Sequence, residues 1–333
     1  VMAFTLFGSL CPVDYHFMRE TSVTASAEAA IWDGTEDTSW YYREHDVIVS
    51  ENGERIAIFN IRTAEELAGL AKLVRNGNTM INLVSDVTLN DTTNFDNWDE
   101  QPPANNWTAI GAVPIEAPNV NVVMTIQPEC RNTVFAGMFN GNGHTISGMY
   151  SLHHNYAGLF ARTSGIITNV IVKDSYIQCI NTQKVESGDT ALWEACAGGI
   201  TAICDRGVIS HCEFDGKIFA SGLNRVGYGT HGSFAGGIVG KFSDDENGVA
   251  AVVMMFALVP AGFLINPALF LTASGQQVIT DPGIYSCINR GSIYTEHGTD
   301  ENGAGGIIGA GGLYTVRNPD FAVFYCLNLG EVH

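Results

Sequence analysis

The chain has 333 residues, 37 of them glycine, with 16 Lys plus Arg against 35 Asp plus Glu and a net charge of −19. Glycine together with abundant Asn, Thr and Asp marks a turn-rich β protein in which helix is scarce. Such a charge excludes nucleic acid, whose phosphates call for basic patches that release counterions, and it fits an exported surface attractive to divalent cations or cationic partners.

Residues 1–13, VMAFTLFGSLCPV, are apolar and uncharged, and Ala25, Ala27 and Ala29 offer A-x-A cleavage spacing before Ile31. Residues 1–30 therefore read as the back part of a secretory signal peptide, which predicts a secreted or cell-surface protein. Cys11 follows Leu10, where a lipoprotein site needs a small residue, so no lipid anchor is expected.

Residues 31–80 read as a lead-in carrying one helix between Arg62 and Gly77. Thr63-Ala64-Glu65-Glu66 has the form of a capping box, Ala64, Leu67, Leu70, Ala71 and Val74 share a face, and Gly77 supplies a stop. This helix is expected to cap the open end of a repeat body beginning at residue 81. INLVSDVTL (81–89) reads as its first strand. The polar stretch Asn90 to Asn106 carries Asp91, Asp96, Asp99 and Glu100, oxygen ligands that suit calcium, but their spacing fits no known calcium loop and a solvated loop is expected.

Across 81–333 short blocks recur: Ala157-Gly158-Leu159-Phe160, Ala197-Gly198-Gly199-Ile200, Ala235-Gly236-Gly237-Ile238 and Ala304-Gly305-Gly306-Ile307, at intervals of 40, 38 and 69 residues. A second pattern, apolar-x-x-Cys-x-x-x-Gly-x-apolar, recurs at Ile209–Ile218, Ile284–Ile293 and Val323–Val332. Repeats of this period, built from short apolar runs punctuated by glycine, predict a β solenoid whose units bury their apolar faces by stacking. Cys212, Cys287 and Cys326 should then form an inward column. The chain has eight cysteines and no C-x-x-C pair, so structural zinc is not expected. Stacked strands about 4.8 Å apart bring columnar cysteines within disulfide range, but three cannot all pair, and buried thiols are the expectation.

Phe139-Asn140-Gly141-Asn142-Gly143-His144-Thr145-Ile146-Ser147-Gly148 resembles the F-x-G-x-G-H-T-I-x-G phrase of bacterial surface proteins with GLUG-type repeats. Ala235 to Gly240 and Ala304 to Gly309 resemble the repeat itself, and Trp107-Thr108-Ala109-Ile110-Gly111 resembles a phrase preceding it. The resemblance spans about 31–333. It implies a right-handed parallel β-helix acting as a stalk or adhesive module of a wall-associated protein. Such repeats also flank the catalytic domains of IgA-cleaving metallopeptidases, which need a zinc-binding H-E-x-x-H. This chain has no such motif.

An insertion at about 249–280 interrupts the repeats. Residues 249–273 carry no charge and are long enough to span a bilayer, yet a single crossing would split one repeat and no basic residue follows until Arg290. Pro260-Ala261-Gly262 suggests a reversal, giving two apolar arms that pack on the solenoid, dock a partner or touch a membrane.

Because β-helices host lyases and glycosidases, Asp174, Asp205, Glu213 and Asp215 are the carboxylates to weigh for acid–base work. Repeats naturally cluster such residues at solvated corners. His144, His153, His154 and His211 suggest a metal or a base, but neighbouring residues of a strand such as His153 and His154 point to opposite faces. No nucleophile elbow, phosphate loop or dinucleotide fingerprint is present, so no catalytic, cofactor or metal residue is assigned. The expected function is a non-enzymatic structural or adhesive module that presents a solenoid face to glycans or host surface proteins. A carbohydrate-active enzyme and the non-catalytic repeat region of a larger surface protease are the alternatives.

Overall fold

A computed structural model describes residues 30–49, 55–73, 78–111, 134–181, 194–222, 232–243, 282–296, 301–311 and 322–333. Apart from residue 30, the signal-like segment 1–30 lies outside them, as do Cys11, Cys130 and the apolar insertion 249–280.

The described chain is almost wholly β and is organised in four sheets. The first, eight-stranded, runs in order Asp46–Val49, Arg55–Ile61, Thr79–Leu83, Met138–Asn140, Ile166–Thr168, Val208–Ser210, Gly283–Tyr285 and Ala322–Phe324. The second is built on Ile171–Ile180 and Glu213–Ser221, each long enough to pair with two short strands: Thr145–Ser147 and Tyr150–His153 on one side, Ile288–Asn289 and Ser292–Glu296 on the other. The third contains Tyr156–Ala157, Ala195–Gly198, Gly232–Gly236 and Glu301–Gly305, and the fourth Phe160–Thr163, Thr201–Asp205, Val239–Ser243 and Ile308–Gly311. From residue 138 onward the chain visits the sheets in the order first, second, third, fourth, and then returns to the first. One such pass is a circuit. Pairing among these strands is parallel; only Asp46–Val49 runs antiparallel, on Arg55–Ile61.

Register is kept from circuit to circuit because one face of every strand is buried, and a slip of one residue would turn that face outward. Phe139, Ile167, Ile209 and Ile284 face one interior from the first sheet, Val172 and Phe214 from the second, Ala197 and Ala235 from the third. All are 0% exposed and belong to one apolar cluster.

The corners carry the repeat signature. At the third-to-fourth corner, a Cβ on Gly198, Gly236 or Gly305 would strike the carbonyl of Thr201, Val239 or Ile308. A Cβ on Gly199, Gly237 or Gly306 would strike the side chain of Phe214, Asn289 or Asn328 across the interior. Both glycines of the A-G-G-I block are thus required by close approach. Between the first and second sheets one residue per circuit is left-handed: Asn169 (φ 54°), His211 (54°), Ser286 (52°) and Tyr325 (55°). The next residue is Val170, Cys212, Cys287 or Cys326, so this kink turns the cysteines inward.

The helix, α1 (Ala64–Leu70), joins two neighbouring strands of the first sheet, Arg55–Ile61 and Thr79–Leu83, and buries Leu67 and Leu70 in the same apolar cluster. Its start has the expected chemistry. Thr63 Oγ1 accepts from the Glu66 amide at 3.2 Å, and the Glu66 carboxylate accepts from the Arg62 amide at 2.7 Å and from Arg43 at 2.6 Å. α1 is shorter than the predicted span, ending at Leu70 with Gly69 in its last turn and three tight turns after it, at Ala71, Lys72 and Leu73. Gly69 has no room for a side chain because the Asp37 carbonyl packs on it. Val74 and Gly77 lie outside the described residues. The stretch 81–89 also differs from one strand. Thr79–Leu83 belongs to the first sheet and Val87–Thr88 to the second, with Asp86 at the corner between them.

Candidate functional site

Of the four carboxylates weighed for catalysis, three lie on paired strands of the second sheet and Asp205 lies on the fourth. Asp205 is on the fourth sheet, 4% exposed and ion-paired with Arg162. Asp174, Glu213 and Asp215 are on the second sheet. Glu213 accepts from Arg290 Nε at 2.8 Å, and Asp215 is in register with Lys173. Asp174 is the extra residue of a bulge, left-handed at φ 47° and exposed. A bulge of this kind bends the strand, and here it divides the second sheet into two short runs.

The histidines are dispersed. His144 Nδ1 lies 3.1 Å from Asp86 Oδ1, which also accepts the Thr145 amide at 2.9 Å, so this phrase ties one corner to the preceding circuit. His153 Nδ1 accepts from the Asn155 and Tyr156 amides, each at 3.3 Å. Burial, with His154 adding to it, pushes the His153 imidazole below its ordinary range, and the neutral ring is what those amides require. His154 Nδ1 approaches the Ile180 carbonyl at 3.2 Å instead. His211 is the left-handed corner residue, with its pKa lowered by burial. In the polar loop weighed for calcium, Asp91 accepts from the Thr93 amide at 2.9 Å and caps the 3-10 segment Thr92–Asn97. Among the described residues, no group of three or more His, Cys, Asp or Glu is placed to hold a metal ion, and no helix is long and apolar enough to cross a membrane.

The cysteine column is formed as expected. Cys212, Cys287 and Cys326 follow one another from circuit to circuit, and each thiol points at a carbonyl of the preceding circuit, of Ile167, Ile209 and Ile284 in turn. Burial holds the Cys287 thiol well above its ordinary range. The Cys326 thiol is raised first by the neighbouring Cys287 thiol and then by burial. Cys179, Cys196 and Cys204 are also buried free thiols raised by burial. Protonated thiols are poor nucleophiles and poor metal ligands, so these cysteines act as core.

Three surface features remain. A cleft of about 210 Å³ lies beside Trp40, His45, Phe59 and Arg62, but Arg43 at its edge is tied to Glu66, Asp37 and Ser39. Outside the third and fourth sheets, Cys196, Ile203 and Phe234 form a small apolar cluster joined by Tyr156. Two ion pairs adjoin it, Arg162 with Asp205 and Lys241 with Glu194, the latter at 2.6 Å. Burial, reinforced by the Cys196 thiol, pushes the Tyr156 phenol up. Partners within the cluster satisfy most of its charge, giving it the character of a packed outer layer.

The third feature is the outer face of the second sheet, beyond the bulge. Ile177, Ile218 and Ile293 point inward and are 0% exposed, so alternate residues point out. One outward column is Tyr150, Tyr176, Lys217 and Ser292, and the next is Leu152, Gln178, Phe219 and Tyr294, each in register across successive circuits. The polar loop folds over the start of this face. Trp98 meets Tyr150 edge-on at 6.1 Å, Tyr150 stacks on Tyr176 at 5.7 Å, and Lys217 Nζ donates to the Asp96 carbonyl at 2.8 Å while lying 5.3 Å from the Phe95 ring. Sequence reading missed this face, although alternation in 213–221 carries its signal.

No protein-family description and no curated protein matches the chain. It is similar to a solved structure described as a "putative immunoglobulin A1 protease from Bacteroides ovatus", with 16% identity and a TM-score of 0.40 over 77% of this chain and 53% of that one. The chain thus spans about half the length of that protein.

Proposed function

We propose that the circuits wind as a right-handed β-helix and that the chain is a non-enzymatic structural or adhesive module of an exported bacterial surface protein. One observation carries this reading: the parallel strands stay in register from circuit to circuit around a continuous apolar interior. Such a stack is a stiff body whose outward columns are free to vary, as suits the presentation of a surface. Over the end of the interior, α1 serves as the cap that keeps apolar side chains and strand edges from neighbouring chains. Of the carboxylates a glycosidase would need, Asp205 and Glu213 are held in ion pairs and Asp205 is on a different sheet from the other three. No cofactor is assigned.

The test is to incubate the purified chain, with and without calcium, on a broad panel of host and plant glycans while recording retention and release of reducing ends together. Retention without product is expected. Release of product that disappears on replacing Asp174, Asp205 or Asp215 would make the protein a carbohydrate-active enzyme and overturn the reading.

A further inference from the structure

We infer that the outer face of the first sheet is the docking surface of the uncharged segment 249–273, which packs on it as an outer layer of the solenoid. The inference is independent of the reading of the chain as a presenting module. Phe139, Ile167 and Ile209 point inward, so Met138, Ile166 and Val208 before them and Asn140, Thr168 and Ser210 after them point out. Ile58 and Met80 extend the apolar column in register. Although they face away from the interior, Met138, Ile166 and Val208 are only 3% exposed, and among the described residues the apolar cluster they form contains none from outside the first sheet. On the second sheet the outward residues Gln178, Lys217 and Phe219 are half-buried. Burial fades at both ends of the first sheet, where Asn60 and Phe324 are exposed. A cover is therefore seated on the central circuits, as suits a parallel sheet, whose two faces are normally both covered.

The chain itself supplies the cover. In the two preceding circuits the corner from the fourth sheet to the first takes only Ser164-Gly165 and Arg206-Gly207. In the next it takes residues 244–282, from Ser243 at the end of the fourth sheet to Gly283, which is in register with Val208 in the apolar column. The inserted segment thus leaves at the corner beside this face and returns into the face. Its chemistry matches, since residues 249–273 carry no charge and the polar column asks nothing of them. Ser210 Oγ donates to Thr168 Oγ1 at 3.0 Å, Asn169 Nδ2 to Asn140 Oδ1 at 3.2 Å and Asn140 Nδ2 to Asn142 Oδ1 at 2.7 Å, all within the solenoid. Length also suffices. The rows from Ile58 to Val208, about 4.8 Å apart, span about 19 Å. Each arm flanking Pro260-Ala261-Gly262, 249–259 or 263–273, reaches about 16 Å as helix and about 36 Å extended. Residues 112–133 are the rival cover. They carry Glu116, Glu129 and Arg131, and the bridges flanking them, Ile110 with Phe160 and Phe135 with Thr163, both lie beside the fourth sheet.

The experiment is methionine oxidation by dilute hydrogen peroxide, read by peptide mass spectrometry, on the full chain and on a variant in which residues 244–282 are replaced by Arg-Gly, the corner of the preceding circuit. Met80 and Met138 should be protected in the full chain and oxidise about tenfold faster in the variant, because oxidation follows exposure. Met149, 0% exposed in the interior, should stay protected in both. Slow oxidation of Met138 in a variant that still protects Met149 would give the face to another segment, and fast oxidation in the full chain would leave it bare; either result sinks the inference. A second measurement, made on the full chain, decides even if the variant loses its fold and with it the protection of Met149. There p-benzoylphenylalanine is placed at Phe256 or Phe270, one in each arm, and irradiated in the presence of phosphatidylcholine vesicles. At least one probe should crosslink to peptides carrying Met138, Ile166 or Val208 of the same chain. Absence of those products from both probes, whether they label a second copy, the vesicles, another surface or nothing, would overturn the assignment.

Discussion

Replacing Gly199 with alanine tests the stacking of circuits directly. Gly199 has no left-handed backbone, so alanine meets no torsional objection there. Its new methyl would strike the Gly237 carbonyl of the next circuit and the ring of Phe214, which is 0% exposed. Overpacking of a core by a methyl group typically costs about 1–3 kcal/mol, and relief comes from rotating neighbouring side chains. A backbone carbonyl in a parallel ladder has no such freedom, so about 3 kcal/mol is expected. Gly143→Ala is the contrast. There φ is +78° and nothing lies within 4 Å, so only the left-handed penalty of about 1 kcal/mol applies. The difference of about 2 kcal/mol corresponds to about thirtyfold in local opening. Stacked repeats open in neighbouring units, so the assay is native-state hydrogen exchange of Thr201–Asp205 and Val239–Ser243 in low urea. If Gly199→Ala protects those strands as well as Gly143→Ala does, close approach does not explain the repeated glycines.

Three further outcomes follow from the structure. His211→Asn should keep stability within about 0.5 kcal/mol in urea denaturation, because asparagine tolerates the left-handed region, whereas His211→Val should cost about 1–2 kcal/mol; equal losses would contradict the corner role. The imidazoles of His153 and His211 are lowered below 6.5 and the thiol of Cys287 is raised above 9.0. Stability from the histidines is full above pH 6.5 and is lost as pH falls through their folded values; stability from the thiol is full below pH 9.0 and is lost as pH rises. The urea midpoint should thus be flat between these limits, and His153→Gln should shallow the acid side; an unchanged acid limb would refute the assignment. Iodoacetamide at pH 8 should leave Cys179, Cys196, Cys204 and Cys287 unmodified until urea is added, as mass spectrometry would show, and labelling of the native chain would contradict their burial.

Much of the architecture is legible in the chain. The A-G-G-I blocks locate the tight corners, and the cysteine pattern locates an inward column, because glycine and buried positions recur wherever the same backbone geometry recurs. Thr63 and Glu66 announce the start of α1. Its end was hidden, since the limit is the approach of the Asp37 carbonyl to Gly69, a contact between distant segments. INLVSDVTL looked continuous because periodicity cannot show a corner that is made by pairing with strands far along the chain.

Composition and repeats by themselves determined that this protein is built of short stacked strands with an apolar interior, because those properties depend on residue type and local spacing. Which cations pair with Asp205 and Glu213, and which outward rings align, depend on register between residues about forty or more apart. Connections of unequal length between the strands conceal that register in the linear order. Only parallel pairing brings Phe219 beside Tyr294 and leaves Asp205 on another sheet from Asp174, so both placements were decided by tertiary structure.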